Sequence, residues 1–137
     1  IPDTSGRDSL FQAESRRCKE IIDKINKHQD ERHFCIFDEL YSGTNPEEAI
    51  QAGKAFIKYI SNHTNVNFIL TTHYKQICTY FKKSKYVDNY KMNVHVDEAG
   101  LFDYKYKLVK GISDIKGGIR ILKDMEYPEE ILENIEI

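Results

Sequence analysis

The sequence has few cysteines and none in a closely spaced pair. Cys18, Cys35 and Cys78 are odd in number and lack a CxxC spacing, which argues against a disulfide framework and a zinc knuckle. No run approaches the roughly 18 apolar residues of a membrane-spanning helix, and the N-terminus lacks a signal-peptide pattern. We therefore expect an intracellular protein of the cytoplasm, the nucleus or an organelle, with a viral origin left open.

The sequence also lacks an excess of positive charge. It carries 20 Lys and Arg residues against 22 Asp and Glu residues, a formal net charge of -2. Surfaces that bind DNA directly usually carry clustered positive charge, so we expect contacts with DNA to come from other parts of the protein. With 40% apolar and 31% charged residues, the 137-residue chain has the composition of one folded, compact domain.

Apolar periodicity predicts alternating helices and strands in the first half of the chain. Apolar residues at helical spacing predict a helix from Leu10 to Lys27. Residues 33–38 (HFCIFD) and 67–72 (NFILTT) are short apolar runs that we interpret as buried strands. Between them, a periodicity of three and four after Pro46 predicts a second helix. This βαβ order predicts two parallel strands joined by a right-handed crossover.

The second half of the chain has a different pattern. A short helix is predicted from Tyr74 to Lys82. Alternating residues in 90–96 and 102–108, joined by a Gly-containing turn, predict a β-hairpin with one polar face. A helical stretch follows near residues 118–124, and Pro128 opens a final helix that we expect to reach the terminus. The predicted fold class is α/β, with a parallel βαβ core, a C-terminal β-hairpin and flanking helices.

Two carboxylates, Asp38 and Glu39, follow the first apolar strand directly. Ligands of α/β proteins bind beyond the carboxyl ends of parallel strands, and Thr71, Thr72 and His73 fall at that edge for the second strand. We therefore expect these five side chains to face one small region. Carboxylate and hydroxyl oxygens are ligands that suit hydrated Mg²⁺.

Two interpretations of this region stay open on the residues alone. In the first, Asp38 binds Mg²⁺ or a metal-bound water, Glu39 acts as general base on a water molecule, and His73 contacts the γ-phosphate of a nucleotide. In the second, the region is a strand end whose acidic residues cap the following helix.

Five short motifs of the chain occur in the order of a known ATPase family. They are DSLFQAE (8–14), CIFDEL (35–40), SGT (42–44), ILTTHY (69–74) and GISDIKGGIRIL (111–122). In this order and spacing, the chain resembles the C-terminal half of the ATPase domain of the MutS family, which acts in DNA mismatch recognition. The resemblance covers nearly the whole chain and implies a partial P-loop NTPase fold of the ABC class.

The resemblance implies roles for the acidic and imidazole groups. Asp38 and Glu39 match the Walker B pair, which holds Mg²⁺ directly or through water, and Glu39 would be the catalytic base. His73 matches the switch histidine of the H-loop and would also be catalytic. Thr72 beside it would belong to the residues that bind ATP.

The resemblance also implies residues that act across a subunit interface. Ser9 matches the signature-loop serine, which approaches the γ-phosphate of ATP bound to the partner subunit. Ser42, Gly43 and Thr44 match the D-loop, which passes between the two ATP sites and couples them. A second MutS-like subunit, identical or different, would thus complete the ATP site.

The phosphate-binding loop of this family is missing from the sequence. No GxxxxGK[ST] pattern occurs, although that loop supplies the N–H cradle and the lysine for the ATP phosphates. We therefore expect residues 1–137 to be the C-terminal part of a MutS-type ATPase domain, a fragment that hydrolyses ATP negligibly on its own. The intact protein would be an ATPase that binds mismatched or damaged DNA through domains absent here, without membrane contact. The alternatives are another ABC-class ATPase head, of a chromosome-maintenance protein or a transporter, and a non-catalytic module of ATPase shape.

Overall fold

The computed structural model of the chain describes residues 9–114 and 117–135. The chain divides into two compact units between Asn89 and Tyr90. The length and composition of the chain had suggested a single compact domain. The first unit contains α1 (Leu10–Lys27), β1 (His33–Asp38), α2 (Pro46–Ser61), β2 (Val66–Thr71) and α3 (Lys75–Tyr80). The second contains β3 (Tyr90–Val96), β4 (Phe102–Lys110), α4 (Gly117–Asp124) and α5 (Glu129–Leu132). Within the described residues, no helix is long and apolar enough to cross a lipid bilayer.

Helix α1 begins at a reciprocal cap. The Gln12 backbone N–H donates to the Ser9 hydroxyl at 3.2 Å, and the Ser9 N–H donates to Gln12 Oε1 at 2.9 Å. This capping box satisfies two donors that the start of a helix leaves unpaired. Lys24 and Lys27 lie in the last turn, where positive charge interacts favourably with the helix dipole. The predicted bounds of this helix are confirmed.

Helix α2 begins after an asparagine cap. The Asn45 side chain accepts a hydrogen bond from the Glu48 N–H at 2.9 Å, and Pro46 occupies the first turn, where its missing N–H has no cost. The residues of its inner face recur at intervals of three and four, as one face of a helix requires. They are Ala49, Gly53, Phe56, Ile57 and Ile60.

Strands β1 and β2 form a parallel pair that α2 connects. Their register runs from His33 opposite Val66 to Asp38 opposite Thr71. The parallel βαβ unit that the sequence predicted is confirmed. β2 begins and ends one residue earlier than predicted, so Thr71, and not Thr72, is the last residue of the strand.

The helices and one face of this sheet form the hydrophobic core of the first unit. Ile25, Ile57 and Ile60 are its largest fully buried side chains. Phe37 of β1 and Phe56 of α2 meet edge to face, with ring centroids 5.3 Å apart. Aromatic rings favour this arrangement because the positive edge of one faces the negative face of the other. The core therefore joins α2 to the strand that ends at Asp38.

The other face of the β1–β2 sheet is exposed. Phe34, Ile36 and Ile69 are each more than half exposed to solvent. Successive side chains of a strand point to opposite faces, and the core of this unit covers only one of those faces. The prediction that both strands are buried is therefore wrong for this face.

All three cysteines are expected to react slowly with thiol reagents. Burial raises the pKa of the Cys18, Cys35 and Cys78 thiols, so less of each is present as the reactive thiolate at a given pH. Cys18 is also buried, whereas the other two are partly buried. At pH 8 we expect iodoacetamide to alkylate Cys18 at least about tenfold more slowly than the same cysteine in urea, with all three rates rising at higher pH. Timed peptide mass spectrometry measures the rates, and equal rates for native and unfolded protein would contradict the prediction.

The second unit is built on an antiparallel hairpin. β3 and β4 pair from Tyr90 opposite Lys110 to Val96 opposite Phe102, with an irregular register between Met92 and Val94. The predicted hairpin is confirmed. The predicted polar face is not set apart from a buried one, because most side chains of both strands are exposed. Alternation in the sequence therefore does not produce a buried face within this unit.

The two C-terminal helices are short. α4 agrees with the predicted helical stretch, but α5 ends at Leu132, so the expected helix to the terminus is wrong. α5 has no buried side chain, and helices of this length are unstable in water without packing. Residues 1–8, 115–116 and 136–137, which include parts of the first and last predicted motifs, lie outside the described residues.

Candidate functional site

The acidic pair lies beside the end of β2, as the parallel topology requires. The Thr71 hydroxyl donates to Asp38 Oδ1 at 2.6 Å. The Glu39 N–H donates to the Thr71 carbonyl at 2.9 Å and approaches the Thr71 hydroxyl at 3.2 Å. Strand pairing thus continues one residue beyond β1, and Thr71 holds the carboxylate of one acidic residue and the backbone of the other.

His73 reaches the same point from the loop after β2. Its Nδ1 lies 3.5 Å from Glu39 Oε1, and the two side chains are 63% and 54% exposed. The imidazole ring lies against the Tyr74 ring, with centroids 4.6 Å apart. The structure therefore brings together Asp38, Glu39 and His73 in an open, solvent-accessible arrangement. At such exposure a contact between these two side chains contributes little stability, about 0–1 kcal/mol.

The side chains at this edge match part of an Mg²⁺ site. Within the described ranges, no group of three or more His, Cys, Asp and Glu side chains could hold a metal ion. Asp38 and Glu39 supply two adjacent carboxylates, and Mg²⁺ in nucleotide sites takes only one or two carboxylates and completes its octahedron with waters and phosphate oxygens. The donor set thus fits an ion that arrives with a nucleotide, and not one held by protein groups alone.

The loop between β1 and α2 has an unusual backbone. Glu39 and Tyr41 have positive φ values of 53° and 61°. Left-handed conformations of residues other than glycine cost about 1–2 kcal/mol each, so other contacts must hold this loop in place. One of them is the Tyr41 ring, which lies 5.8 Å from the Phe11 ring and 6.3 Å from the Phe56 ring by centroid distance. Burial raises the pKa of the Tyr41 phenol, which also hydrogen-bonds the Cys18 thiol.

Gly43 lies directly against the first turn of α1. A Cβ atom at this position would be 2.7 Å from the Phe11 backbone nitrogen and 2.7 Å from Leu10 Cγ. Only a residue without a side chain fits this approach. The predicted D-loop residue therefore touches the start of the helix that Ser9 caps.

Glu14 of α1 is a residue of this region that the sequence did not single out. It is only 8% exposed, and its carboxylate accepts hydrogen bonds from the Tyr41 N–H at 2.6 Å and the Gly43 N–H at 3.1 Å. One feature of the sequence could have pointed to Glu14. Phe11, Glu14 and Cys18 follow helical spacing, so Glu14 places a charge within the apolar face of α1.

The remaining predicted site residues use their hydroxyls locally or lie in solvent. The Ser9 hydroxyl caps α1, and the Thr44 hydroxyl donates to Glu48 Oε2 at 2.8 Å. The Thr72 hydroxyl accepts from the Tyr74 N–H at 3.0 Å, so it shapes the loop after β2, whereas Thr71 contacts the acidic pair. Ser42 is exposed. The structure therefore does not bring these four hydroxyls into contact with Asp38, Glu39 or His73.

Known proteins resemble this chain along most of its length. Residues 3–136 match the family described as MutS domain V. The DNA mismatch repair protein MutS of Aquifex pyrophilus is 32% identical over 111 residues, which are 81% of this chain and 13% of that protein. The DNA mismatch repair protein MutS of Lactococcus lactis subsp. cremoris is 27% identical over 133 residues, 95% of this chain and 15% of that protein. The endonuclease MutS2 of Fusobacterium nucleatum is 30% identical over 124 residues, 90% of this chain and 15% of that protein.

The fold agrees with this match. Domain V is the ATPase domain of MutS proteins, and the predicted α/β fold class, a parallel βαβ core followed by an antiparallel hairpin, is confirmed. The chain spans between 13% and 15% of the length of these three relatives. Because the match covers nearly all of its residues, the chain belongs to the MutS domain V family.

Proposed function

We propose that this chain is the C-terminal part of a MutS-type ATPase domain and carries the catalytic base for ATP hydrolysis. One observation carries the proposal, namely that Asp38 and Glu39 of one strand end and His73 of the neighbouring strand end lie side by side. The intact protein couples ATP binding and hydrolysis to the recognition of mismatched or damaged DNA. Two of the relatives, from Aquifex pyrophilus and Lactococcus lactis, are DNA mismatch repair proteins, which supports this role.

Glu39 is placed to act as general base. Its carboxylate is 54% exposed, so a water molecule can reach it, and His73 Nδ1 lies 3.5 Å from Oε1. A carboxylate within hydrogen-bond reach of the attacking water accepts its proton as the new P–O bond forms. The positive φ of Glu39 turns the chain immediately after β1.

Asp38 is placed to bind the metal ion or a metal-bound water. Thr71 donates to Oδ1 and fixes the orientation of the carboxylate, which leaves the second oxygen for this purpose. Mg²⁺, when bound with ATP, would neutralise charge on the phosphates. The fit of the two carboxylates to an ion that also takes phosphate oxygens supports the assignment of ATP and Mg²⁺.

The assignment of residues to the subunit interface relies on the family motif. Ser9 caps α1, and the start of a helix carries N–H groups and a positive dipole end that favour an anion such as a phosphate. Ser42, Gly43 and Thr44 lie in the loop that touches this helix start. We assign Ser9 to the ATP of a second MutS-like subunit, the loop to coupling between the two sites, and Thr72 to shaping the loop that holds His73.

The His73→Ala variant tests the proposal in the intact protein. We expect kcat for ATP hydrolysis to fall by about tenfold or more, as for the loss of one hydrogen bond to a charged group, with the Kd for ATP changed less than about threefold. Radiolabelled phosphate release and nucleotide titration measure the two quantities. His63→Ala is the matched control, because His63 is a partly buried histidine of the same unit whose ring nitrogen contacts the Tyr59 carbonyl and which lies before β2, away from the strand ends that form the site. Unchanged kcat in His73→Ala would count against the proposed site.

A further inference from the structure

Glu14 is a buried carboxylate without a role in the proposed chemistry. It is the charged residue that the described part of the chain buries most completely, at 8% exposure. A carboxylate at this depth has lost most of its hydration, and it must be compensated by hydrogen bonds or opposite charge. A carboxylate on the exposed side of α1, such as that of Glu20, keeps its hydration and has no such cost.

The partners of Glu14 are two backbone amides of a single loop. Oε2 accepts from the Tyr41 N–H at 2.6 Å and Oε1 from the Gly43 N–H at 3.1 Å. Hydrogen bonds to a charged acceptor are shorter and stronger than those between neutral groups. Each carboxylate oxygen of Glu14 thus binds one backbone amide of the loop. The exposed residue Ser42 lies between the two bound amides.

The loop needs such an anchor. Glu39 and Tyr41 both have left-handed backbone conformations, which relax toward ordinary ones unless surrounding contacts oppose this. Glu14 binds the amide of the second of these residues directly, two positions after Glu39. Movement of Tyr41 would therefore alter the backbone turn to which Glu39 belongs.

We propose that Glu14 is a positioning residue that locks loop 39–44 onto α1 and so places Glu39 for catalysis. The inference rests on the proposed function of Glu39. Glu14 connects loop 39–44 to the segment that carries Ser9, because Ser9 and Glu14 lie on consecutive turns at the start of the same helix. The loop assigned to coupling and the helix assigned to the partner's ATP then move as one body.

The Glu14→Gln variant of the intact protein is the first test. Glutamine has nearly the same shape, but one of its two acceptor oxygens becomes an NH₂ donor, which then faces an amide N–H of the loop. We expect kcat per ATP-binding site to fall by about tenfold or more, with the Kd for ATP within about threefold of the unmodified protein. Glu20→Gln is the matched control, since it makes the same chemical change on the exposed side of α1.

The number of ATP-binding sites separates positioning from a purely structural role. If Glu14 only stabilised the fold, Glu14→Gln would lower the fraction of protein that binds ATP and leave the kcat of each remaining site unchanged. That result, measured by nucleotide titration together with turnover, would overturn the proposal. Glu39→Gln is measured alongside. Unchanged turnover in that variant would overturn the proposed function itself, whereas loss of turnover in Glu39→Gln with unaltered turnover in Glu14→Gln would overturn only the role of Glu14.

Amide exchange in the unmodified protein provides a second test, which does not depend on any variant folding. We expect the amide protons of Tyr41 and Gly43 to exchange with deuterium at least tenfold more slowly than that of Ser42 between them, because only the first two donate to a buried carboxylate. Exchange resolved to single residues by electron-transfer fragmentation measures this. Equal, fast exchange at all three amides would overturn the proposal.

Discussion

Glu39→Gln is expected to lower kcat for ATP hydrolysis by about a thousandfold in the intact protein while leaving ATP bound. The amide is neutral and cannot accept a proton from water, and general-base catalysis contributes about 10²–10⁴ in rate. The shape of the side chain is retained, so the turn after β1 and the approach of His73 at 3.5 Å should persist. Single-turnover hydrolysis of labelled ATP, with nucleotide retained on a filter, measures both quantities.

Glu31→Gln is the control for this experiment. Glu31 is an exposed carboxylate that lies before β1, at the opposite end of the strand from Glu39, and its Oε2 lies 3.7 Å from His28 Nδ1. The same chemical change there should leave turnover within about twofold of the unmodified value. If Glu39→Gln hydrolyses ATP as fast as Glu31→Gln does, Glu39 is not the base.

Gly43→Ala is expected to destabilise the loop between β1 and α2 by about 1–3 kcal/mol and to reduce turnover with it. The added methyl group would meet the Phe11 backbone nitrogen at 2.7 Å, and a backbone atom cannot rotate away as a side chain can. Either the loop or the start of α1 must shift, which breaks the Gly43 N–H bond to Glu14. Hydrogen exchange of loop 39–44 in the intact protein measures the loss.

Gly53→Ala is the matched control, with the same added methyl group in α2. The nearest atom to that methyl group is Ile77 Cδ1 at 3.0 Å, the far end of a flexible side chain. Alanine also favours a helix over glycine by about 1 kcal/mol, which offsets a small repacking cost. We expect this variant to keep the exchange rates and turnover of the unmodified protein. Equal damage in the two alanine variants would mean that the contact between Gly43 and α1 has no special role.

The sequence predicted the elements and topology of the first unit because both depend on local patterns. The capped periodicity of α1 and the two apolar runs around α2 were sufficient to predict a parallel pair. From a parallel pair, the proximity of Asp38 to the end of β2 follows by geometry alone. Both Thr71 and Thr72 were expected at this edge, but only the Thr71 hydroxyl contacts Asp38, while the Thr72 hydroxyl accepts from the Tyr74 N–H. β2 ends at Thr71, one residue earlier than predicted, and alternate residues of a strand face opposite sides.

The sequence could not predict the contacts that hold the site in shape. Glu14 lies 27 residues from Tyr41 and 29 from Gly43, and its partners are backbone amides, which every residue except proline carries. The positive φ values of Glu39 and Tyr41 have no residue signature either, since neither is glycine or asparagine. Periodicity likewise did not show that the core covers only one face of the β1–β2 sheet.

Phe34, Ile36 and Ile69 form a solvent-exposed apolar patch on the β1–β2 sheet. Apolar patches of this kind, next to strand edges that can still pair, promote aggregation and strand exchange between molecules. Residues 1–137 expressed by themselves would therefore be prone to aggregate, and charged replacements at these three positions should reduce this.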